Sequence, residues 1–459
     1  MNKRIVILGA GESGTGAALL VKAKGYEVFV SDKGEIKEKY KTILTNANIP
    51  FEENNHNEEI ILDSILVIKS PGIPDKVDIV KKIKGSNIDV ISEIEFAARY
   101  SKAKFIAITG SNGKTTTTLL TYHLLKKLGV NVGLAGNIGE SLAKQVLEDN
   151  YDYYVLELSS FQLDGMHRFK AHIAILLNIT PDHLDRYEYQ FQNYINSKFR
   201  VIQNMTSSDY FIFFADDNVI REELLKREVA PVELSISLTE RMMNGAYLSG
   251  NSILVNVSNH IVKYFNLDAE ELPLNGKHNL VNTMAAILCA TMLGQDESKF
   301  IAAMKDFKNA AHRLEEVATI KGIRFINDSK ATNVDSVWYA LDSMNAQVIW
   351  IAGGIDKGNE YAVLDDLVQR KVRSLVCLGT DNSKLHRAFE RKIHQIIDTN
   401  NITDAVEKAF ELAKEGDVVL LSPACASFDL FKNYEDRGDK FKEAVKNLAL
   451  KYKKQSKVR

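Results

Sequence analysis

Residues Lys104–Thr118 read KFIAITGSNGKTTTT, an apolar strand, a glycine turn, a lysine and a run of hydroxyls in the order that builds a phosphate cradle. Phe105 to Ile108 read as a buried strand and Gly110 to Gly113 as a tight loop. Thr115 to Leu128 read as a helix with Leu119, Leu120, Leu124 and Leu125 packed inward. Backbone N–H groups of Gly110, Ser111, Asn112, Gly113 and Thr116 would then face phosphate oxygens at a helix start. Lys114 would reach the β- and γ-phosphates, and the Thr115 hydroxyl would ligate Mg²⁺. A nucleoside triphosphate is the expected ligand. The spacing is shorter than GxxxxGK[ST], because Ile108 stands where that pattern has glycine, and the form here is TGxxGKTT. An ordinary strand-to-helix turn is the plain alternative.

At 459 residues the chain exceeds one core, and a prior of roughly 150 residues per domain suggests about three. Lys+Arg 58 against Asp+Glu 60 leaves a net charge of -2, so there is no general basic field to hold nucleic acid or anionic lipid. Apolar runs end well before the roughly 20 residues of a membrane span, which reads as a soluble protein. The start MNKRIVILGAGESG leads into a glycine motif rather than a cleavage site, so it reads as a strand and not a signal peptide. Cys289, Cys377 and Cys425 are few and far apart, which argues against disulfides and zinc and for a reducing, cytoplasmic setting.

Around the central stretch the chain alternates strands and helices, the pattern of an α/β fold with parallel sheets. Upstream, Arg4 to Leu8, a helix through Ala17 to Lys24, Glu27 to Val30 and Leu66 to Lys69 form a Rossmann-like βαβ pattern. Its loop GAGESG, with Gly9, Gly11 and Gly14, satisfies GxGxxG, and Asp32 ends the next strand. A dinucleotide, another diphosphate or a purely structural turn all fit that loop. A helix from Glu93 to Tyr100 leads into the central region, whose further strands are Tyr153 to Leu158, Ile173 to Leu177 and Tyr210 to Phe214. After the helix Asn279 to Leu293, strands are expected at Arg324 to Asn327, Gln347 to Ala352, Ser374 to Leu378 and Asp417 to Leu421. Ligands of parallel sheets sit at the carboxyl ends of strands, which puts Glu157, Ser159 and Asn178 to His183 around the phosphate loop.

Glu157 in VLELSS is an acid closing an apolar strand, costly to bury unless a cation or a hydrogen-bond network meets it. Mg²⁺ on ATP would be such a cation, and a salt-bridged structural glutamate is the alternative. His183 in NITPDHLDRY faces the same sheet end, and its neighbourhood alone marks it. Lys198 in NYINSKFR reads by itself as a helical lysine on a solvated face. Asn279 and Asn282 in GKHNLVN lie one helical turn apart, suited to a base or to helix capping. Asp328, Ser329, Lys330 and Thr332 close a strand with groups that could hold a nucleotide and an anionic substrate. The segment Ser422 to Gly438 follows another strand with small and hydroxyl residues that could line an acceptor pocket.

TGSNGKTTT, ELSSFQL, NITPDHLDRY, GKHNLVN, HRLE, NDSKATN and LSPACASFDLFKNYEDRG occur in the order found in Mur ligases, and the chain resembles that family throughout its length. The resemblance implies three domains. They are a Rossmann-like UDP-substrate domain (1–93), a central P-loop ATPase-like parallel sheet (94–300) and a C-terminal Rossmann-like amino-acid domain (301–459). DSKATN and SPACASFDLFKNYEDRG are most similar to the D-glutamate-adding branch, and the DNPR motif of the diaminopimelate-adding relative is absent. The implied enzyme is cytoplasmic and monomeric. It would consume ATP to join D-glutamate to UDP-N-acetylmuramoyl-L-alanine during peptidoglycan precursor synthesis, with no nucleic-acid or membrane partner.

The resemblance also implies roles residue by residue. Lys114 and Thr115 match the phosphate and Mg²⁺ residues, and Glu157 matches a metal ligand. His183 and Lys198 match a second metal site, where the family's lysine is carbamylated and thereby becomes a carboxylate-like ligand. Asn279, Asn282, His312, Arg313 and Asp328 match ATP contacts, while Lys330, Thr332, Lys357, Ser427 and Tyr434 match a D-glutamate pocket. Ser13, Gly14, Asp32, Lys33, Ser70, Asn137 and Gln162 match positions around the UDP-sugar. Tyr434 stands where the family pattern has phenylalanine, and Ser31-Asp32-Lys33 where it has Asp-Thr-Arg. In such a ligase a substrate carboxylate attacks the γ-phosphate beside two Mg²⁺ ions, and the amine of D-glutamate attacks the resulting acyl phosphate. Domain closure would exclude water from that intermediate. A folylpolyglutamate-type ligase, which shares the TGxxGK loop, and a nucleotide-sensing regulator that binds NAD at Gly9 to Gly16 are the rival readings.

Overall fold

The computed structural model describes residues 4–257, 260–266, 272, 274 and 276–456. Three sheets organise the chain. The first contains β1 (Arg4–Leu8), β2 (Glu27–Ser31), β3 (Phe51–Glu52), β4 (Leu66–Lys69) and β5 (Val90–Ile91), all parallel in the order β3-β2-β1-β4-β5. The second contains β6 (Lys104–Thr109), β7 (Val132–Gly136), β8 (Tyr153–Glu157), β9 (Ile173–Leu176), β10 (Tyr210–Phe214), β11 (Val232–Ser237), β12 (Gly245–Ser249), β13 (Ser252–Val257) and β14 (His260–Asn266). Their order is β14-β13-β12-β11-β10-β9-β6-β8-β7, parallel from β7 to β12 and antiparallel through β13 and β14. The third contains β15 (Glu315–Ile320), β16 (Ile323–Asn327), β17 (Val348–Ala352), β18 (Val372–Leu378), β19 (Ile396–Thr399) and β20 (Val418–Leu421), in the order β15-β16-β20-β17-β18-β19 with only β15 antiparallel.

By contacts the chain forms two compact units, 1–273 with 281–307, and 274–280 with 308–459. In the first, a continuous apolar cluster runs from Ile5, Ile7 and Val30 of the first sheet to Ala107, Ala135 and Leu156 of the second. Glu95 reinforces that junction: its carboxylate, wholly buried, accepts N–H bonds from His167, Arg168 and Phe169 and pairs with Arg99 at 2.9 Å. In the second unit both faces of the sheet are covered, one around Trp350, Leu375 and Phe389 and the other around Phe325, Val406 and Phe441. Strands buried on both faces become continuous apolar runs such as VIWIA and VVLL, which is why they were legible in the sequence.

Every expected strand is present, with ends moved by at most two residues. The first helix differs more. It spans Glu12–Ala23 rather than beginning near Ala17, so Gly14 and Gly16 lie inside it. A Cβ on Gly14 would stand 1.8 Å from the Gly9 carbonyl, and one on Gly16 would stand 2.1 Å from Ser141 Oγ. Close packing, not turn geometry, therefore requires those glycines. Leu119, expected inward, is only half-buried, whereas Thr117, Thr118 and Thr121 are fully buried on the helix Lys114–Lys127.

The junction also holds Glu93, whose Oε1 accepts from Ser141 Oγ at 2.8 Å and Ala143 N at 2.6 Å. Burial pushes its carboxyl up to about 7 against 4.5. The folded state then binds a proton that the unfolded state has released, so stability should fall as pH rises from about 4.5 through about 7. Gln at this position keeps one oxygen for both donors. Glu93→Gln should be neutral below pH 4.5 and more stable than the parent above pH 7, by up to about 3 kcal/mol, in urea titrations across that range.

Candidate active site

Strand β6 lies between β8 and β9, so three strand ends meet: Gly110 after β6, Glu157 on β8 and Asn178 after β9. The loop is held open by its neighbours. Ser111 N donates to Asn178 O at 2.9 Å and Asn112 N to Asn178 Oδ1 at 2.8 Å, while Ser111 Oγ donates to Thr180 O at 2.9 Å. Gly110 and Gly113 have φ of +154° and +84°, conformations that side-chain-bearing residues rarely adopt. A Cβ on Gly113 would also stand 2.9 Å from Asn282 Oδ1. Asn282 in turn accepts from Thr117 Oγ1 at 2.9 Å. Thr115 and Thr116 are buried in the first helical turn.

Lys114 and Lys198 meet at one oxygen. Lys114 Nζ donates to the carbonyls of Gly110 and Ser111, both at 2.8 Å, and Lys198 Nζ donates to the same Gly110 carbonyl at 2.7 Å. Lys198 is 1% exposed, within 3.3 Å of Thr109 Oγ1 and 5.1 Å from the centre of the Tyr194 ring. The solvated-face reading of Lys198 is therefore overturned: the helix Phe191–Phe199 turns this residue inward beneath the phosphate loop. Burial, followed by the charge of Lys114, holds its amine well below the usual lysine range, against the pull of Asp182, Glu157 and Asp164.

Glu157 is 1% exposed. Its Oε1 accepts from Asn137 Nδ2 at 2.7 Å, and Asn137 N donates to its carbonyl at 2.9 Å. Its Oε2 is buried with no hydrogen-bond partner, an arrangement that a cation would satisfy. His183 sits in left-handed backbone at φ 53°, with its ring edge-on to Phe161 at 5.1 Å and its Nε2 3.6 Å from Asp182. Arg186 lies over the same Phe161 ring, 4.3 Å from its centroid.

At the first sheet the glycine loop closes on itself. Asp32 Oδ2 accepts from Ala10 N at 2.7 Å and Oδ1 from Gly34 N at 2.9 Å, while Ser70 Oγ donates to Gly9 O at 3.3 Å. Gly11, Glu12 and Lys33 are exposed and Ser13 is half-buried, so the rim of the loop is open at the strand ends. Gln162 is buried and shares a reciprocal helix cap with Ser159, accepting from Ser159 N at 2.9 Å.

The second unit builds its own cluster at the ends of β16, β17 and β20. Asp328 Oδ2 accepts from Ser422 Oγ at 2.9 Å and Oδ1 from Leu314 N at 3.2 Å. Burial pushes its carboxyl up to about 6, countered by the charge of Arg313. His312 is buried at φ 63°, 3.0 Å from Asn327 Nδ2, and a Cβ on Gly438 would stand 2.1 Å from its Nδ1. Lys330 Nζ lies 5.6 Å from the Tyr434 ring centroid, and Lys330 N donates to His312 O at 3.0 Å. Ala424 N donates to Ala331 O at 3.0 Å, which sets the segment carrying Ser427 against the one carrying Thr332. Lys357 is exposed on the loop whose Ile355 exchanges backbone bonds with Ala426. Asn279 is buried near the start of the helix Lys277–Met292.

Asn178 was placed around the phosphate loop from sequence but given no role, and Arg437 was not singled out as a site residue. Their motifs, NITPDH and EDRG, were visible, but an asparagine whose side chain templates a loop and an arginine turned inward have no distinctive spacing. The cysteine reading needs one addition: Cys377 Sγ, a nitrogen of His386 and an oxygen of Asp398 lie within 4.8 Å of one another. The thiol is packed in the core and the other two already pair at 2.9 Å, so this set is satisfied without a metal. Among the described residues no helix is long and apolar enough to cross a membrane.

The chain matches the Mur ligase middle domain over residues 108–290, the Mur ligase, glutamate ligase domain over 312–425 and the MurD N-terminal domain over 4–79. It is 55% identical over 451 residues to the UDP-N-acetylmuramoylalanine--D-glutamate ligase of Cytophaga hutchinsonii, covering 98% of this chain and 100% of that protein. Identity to the Bacteroides thetaiotaomicron protein of the same name is 54% over 452 residues, with 97% and 100% covered. Among solved structures, UDP-N-acetylmuramate-alanine ligase MurC from Thermotoga maritima aligns with a TM-score of 0.62 at 18% identity, covering 97% of this chain and 99% of that one. The MurF ligase of Thermotoga maritima in complex with ADP aligns with a TM-score of 0.58 at 16% identity, covering 94% and 99%. At such identities these two structures speak for the fold alone.

Two adjacent threonines behind the phosphate loop should respond oppositely to an isosteric change. Thr117 Oγ1 has an acceptor in Asn282, whereas Thr118 Oγ1 is buried without a partner. Thr117→Val should destabilise by about 1 kcal/mol, and Thr118→Val should be neutral or stabilising, in chemical denaturation.

Proposed function

The chain belongs to the Mur ligase family, and from that premise we propose that it joins D-glutamate to UDP-N-acetylmuramoyl-L-alanine, with hydrolysis of ATP to ADP and phosphate, in cytoplasmic peptidoglycan precursor synthesis. Near-full-length identity to curated D-glutamate ligases supports the choice of substrates. The observation that carries the chemistry is the buried, unpartnered Glu157 oxygen at the strand end beside a lysine-bearing phosphate loop.

Glu157 Oε2 and the Thr115 hydroxyl are the hard oxygen donors that Mg²⁺ selects, so these residues fit the ion. When bound, Mg²⁺ would neutralise phosphate charge that otherwise repels an incoming carboxylate. Lys114 now rests on two carbonyls and would exchange them for phosphate oxygens in a charge-assisted contact. A carboxylate oxygen of UDP-N-acetylmuramoyl-L-alanine then bonds to the γ-phosphorus as the bond to the β-phosphate oxygen breaks and ADP departs. The neutral amine of D-glutamate attacks the acyl carbon, phosphate leaves, and the amine proton is lost. Lys330, Thr332, Lys357, Ser427 and Tyr434 form the acceptor set, in which lysines and hydroxyls answer a dicarboxylate. Ser13, Asp32, Lys33, Ser70, Asn137 and Gln162 form the UDP-sugar set. Four of these already have internal partners, Asp32 and Ser70 in the glycine loop, Asn137 on Glu157 and Gln162 in a helix cap, so they act by shaping the loops around the ligand.

The burial of the Lys198 amine, with its pKa held well below the usual lysine range, supports carbamylation. A neutral amine adds to CO₂, forming an N–C bond and releasing a proton, and the product carries anionic oxygens where an ammonium would repel metal. With His183, that group would form the second metal site. The protein is proposed to act as a monomer.

Phosphate release should require ATP, D-glutamate and UDP-N-acetylmuramoyl-L-alanine together. Release with folate and L-glutamate, or NAD binding without ligase turnover, would replace this reading. Lys114→Ala should abolish release while leaving UDP-substrate binding measurable by calorimetry, since the glycine loop lies on a different sheet.

Lys198→Ala should lose most activity and regain part of it with added acetate. Enzyme equilibrated with isotopically labelled bicarbonate should show a carbamate carbon resonance that is absent from Lys198→Ala. A labelled, active parent without that resonance would end the carbamate assignment.

A further inference from the structure

Arg437 lies in the first turn of the helix Tyr434–Ser456 and is 1% exposed. Its guanidinium fork is filled by oxygens of three separate loops. Nε donates to Ser329 Oγ at 3.0 Å and Nη2 to Ser329 O at 2.9 Å. Nη1 and Nη2 both donate to Cys425 O at 3.2 Å, and Nη1 reaches Gly353 O at 3.4 Å. Every one of these acceptors is neutral. Burial lowers the group from 12.5 to about 10, which leaves it charged at neutral pH. The charge of Asp429 favours the cation but makes no hydrogen bond to it, and a desolvated guanidinium whose whole fork rests on neutral oxygens is costly to hold, so packing alone does not account for an arginine here.

What the fork joins is informative. Ser329 directly precedes Lys330 and lies three residues before Thr332; Gly353 opens the loop that carries Lys357; Cys425 lies two residues before Ser427. Ser329 Oγ also donates to Tyr434 O at 2.8 Å, which extends the connection to the ring beside Lys330. Backbone bonds from Gly353 N to Pro423 O and between Ile355 and Ala426 tie the same loops to one another. Five planar donors in fixed geometry can set the separation of three chains, which a lysine cannot do.

We propose that Arg437 is the positioning residue of the acceptor pocket, a single buried fork that spaces the three strand-end loops bearing Lys330, Thr332, Lys357 and Ser427 so that they fit one dicarboxylate amino acid. The inference rests on the acceptor-set reading above. A residue that merely anchored its helix would alter stability without altering recognition.

The test compares the parent with Arg437→Met, Arg437→Lys and Ser329→Ala by steady-state phosphate release, each corrected for folded fraction. Arg437→Met should raise KM for D-glutamate by about 100-fold, the scale set by a misplacement of roughly 1 Å, with KM for ATP within about 2-fold of the parent. Arg437→Lys should fail in the same way, because it restores charge without the fork. Ser329→Ala removes one acceptor and should shift KM for D-glutamate by about 5-fold in the same direction, which keeps the test alive if the Arg437 variants do not fold. Folded Arg437→Met with an unchanged KM for D-glutamate, equal losses for both substrates, or full rescue by lysine would overturn the proposal. A parent that shows no D-glutamate-dependent phosphate release would instead overturn the ligase reading, and this inference with it.

Discussion

One carbonyl oxygen, that of Gly110, accepts from both Lys114 and Lys198. Two ammonium groups cannot share so small a buried space without mutual repulsion, and burial together with the charge of Lys114 holds the Lys198 amine well below the usual lysine range. Much of the surrounding geometry serves that meeting point. Gly110 must adopt a backbone conformation that frees its carbonyl, Asn178 must hold the loop from the next strand, and the helix Phe191–Phe199 must deliver Lys198 from below. A cluster with two lysines on one side and an unpartnered carboxylate oxygen on the other is prepared for anions and cations together, which is what a metal–triphosphate complex brings.

The same solution appears on all three sheets: a central parallel strand ends in a loop that is cross-tied by the neighbouring strand ends. At the first sheet the ties are Asp32 and Ser70, at the second Asn178 and Asn137, and at the third Arg437 with Ser422 and Asp328. Parallel strands leave their carboxyl ends crowded on one edge, so short polar side chains there can bond loop backbone that would otherwise be unsatisfied. The ties grow more expensive along this series, from a half-buried carboxylate to a fully buried guanidinium. Ties of this kind hold ligand-facing groups in place before any ligand arrives, which lowers the ordering cost at binding.

The glycines show how one residue type can serve different constraints. Gly113 is needed for its positive φ and for the approach of Asn282. Gly14 and Gly16 are needed because a helix begins earlier than its apolar pattern indicates and packs at van der Waals limits against a loop and against Ser141. Gly438 makes room for the His312 ring. GxGxxG is accordingly a statement about close approach, and it leaves the identity of the diphosphate open.

Apolar periodicity and glycine placement by themselves determined the α/β class, the central parallel strands of each sheet and the phosphate loop, because doubly covered strands are continuous apolar runs and a helix start after glycine has few alternatives, whereas the short or less apolar strands β3, β5, β7, β11, β12 and β19 were not marked. Motif order carried the family. The tertiary structure decided what no spacing encodes. It turned Lys198 inward and lowered its basicity, left Glu157 with an unpartnered oxygen, buried the threonines in place of Leu119, and folded Arg437 under three loops that lie 12, 84 and 108 residues before it in the chain. Those outcomes depend on which groups become neighbours and how much water is left between them, and both quantities exist only once the sheets have packed.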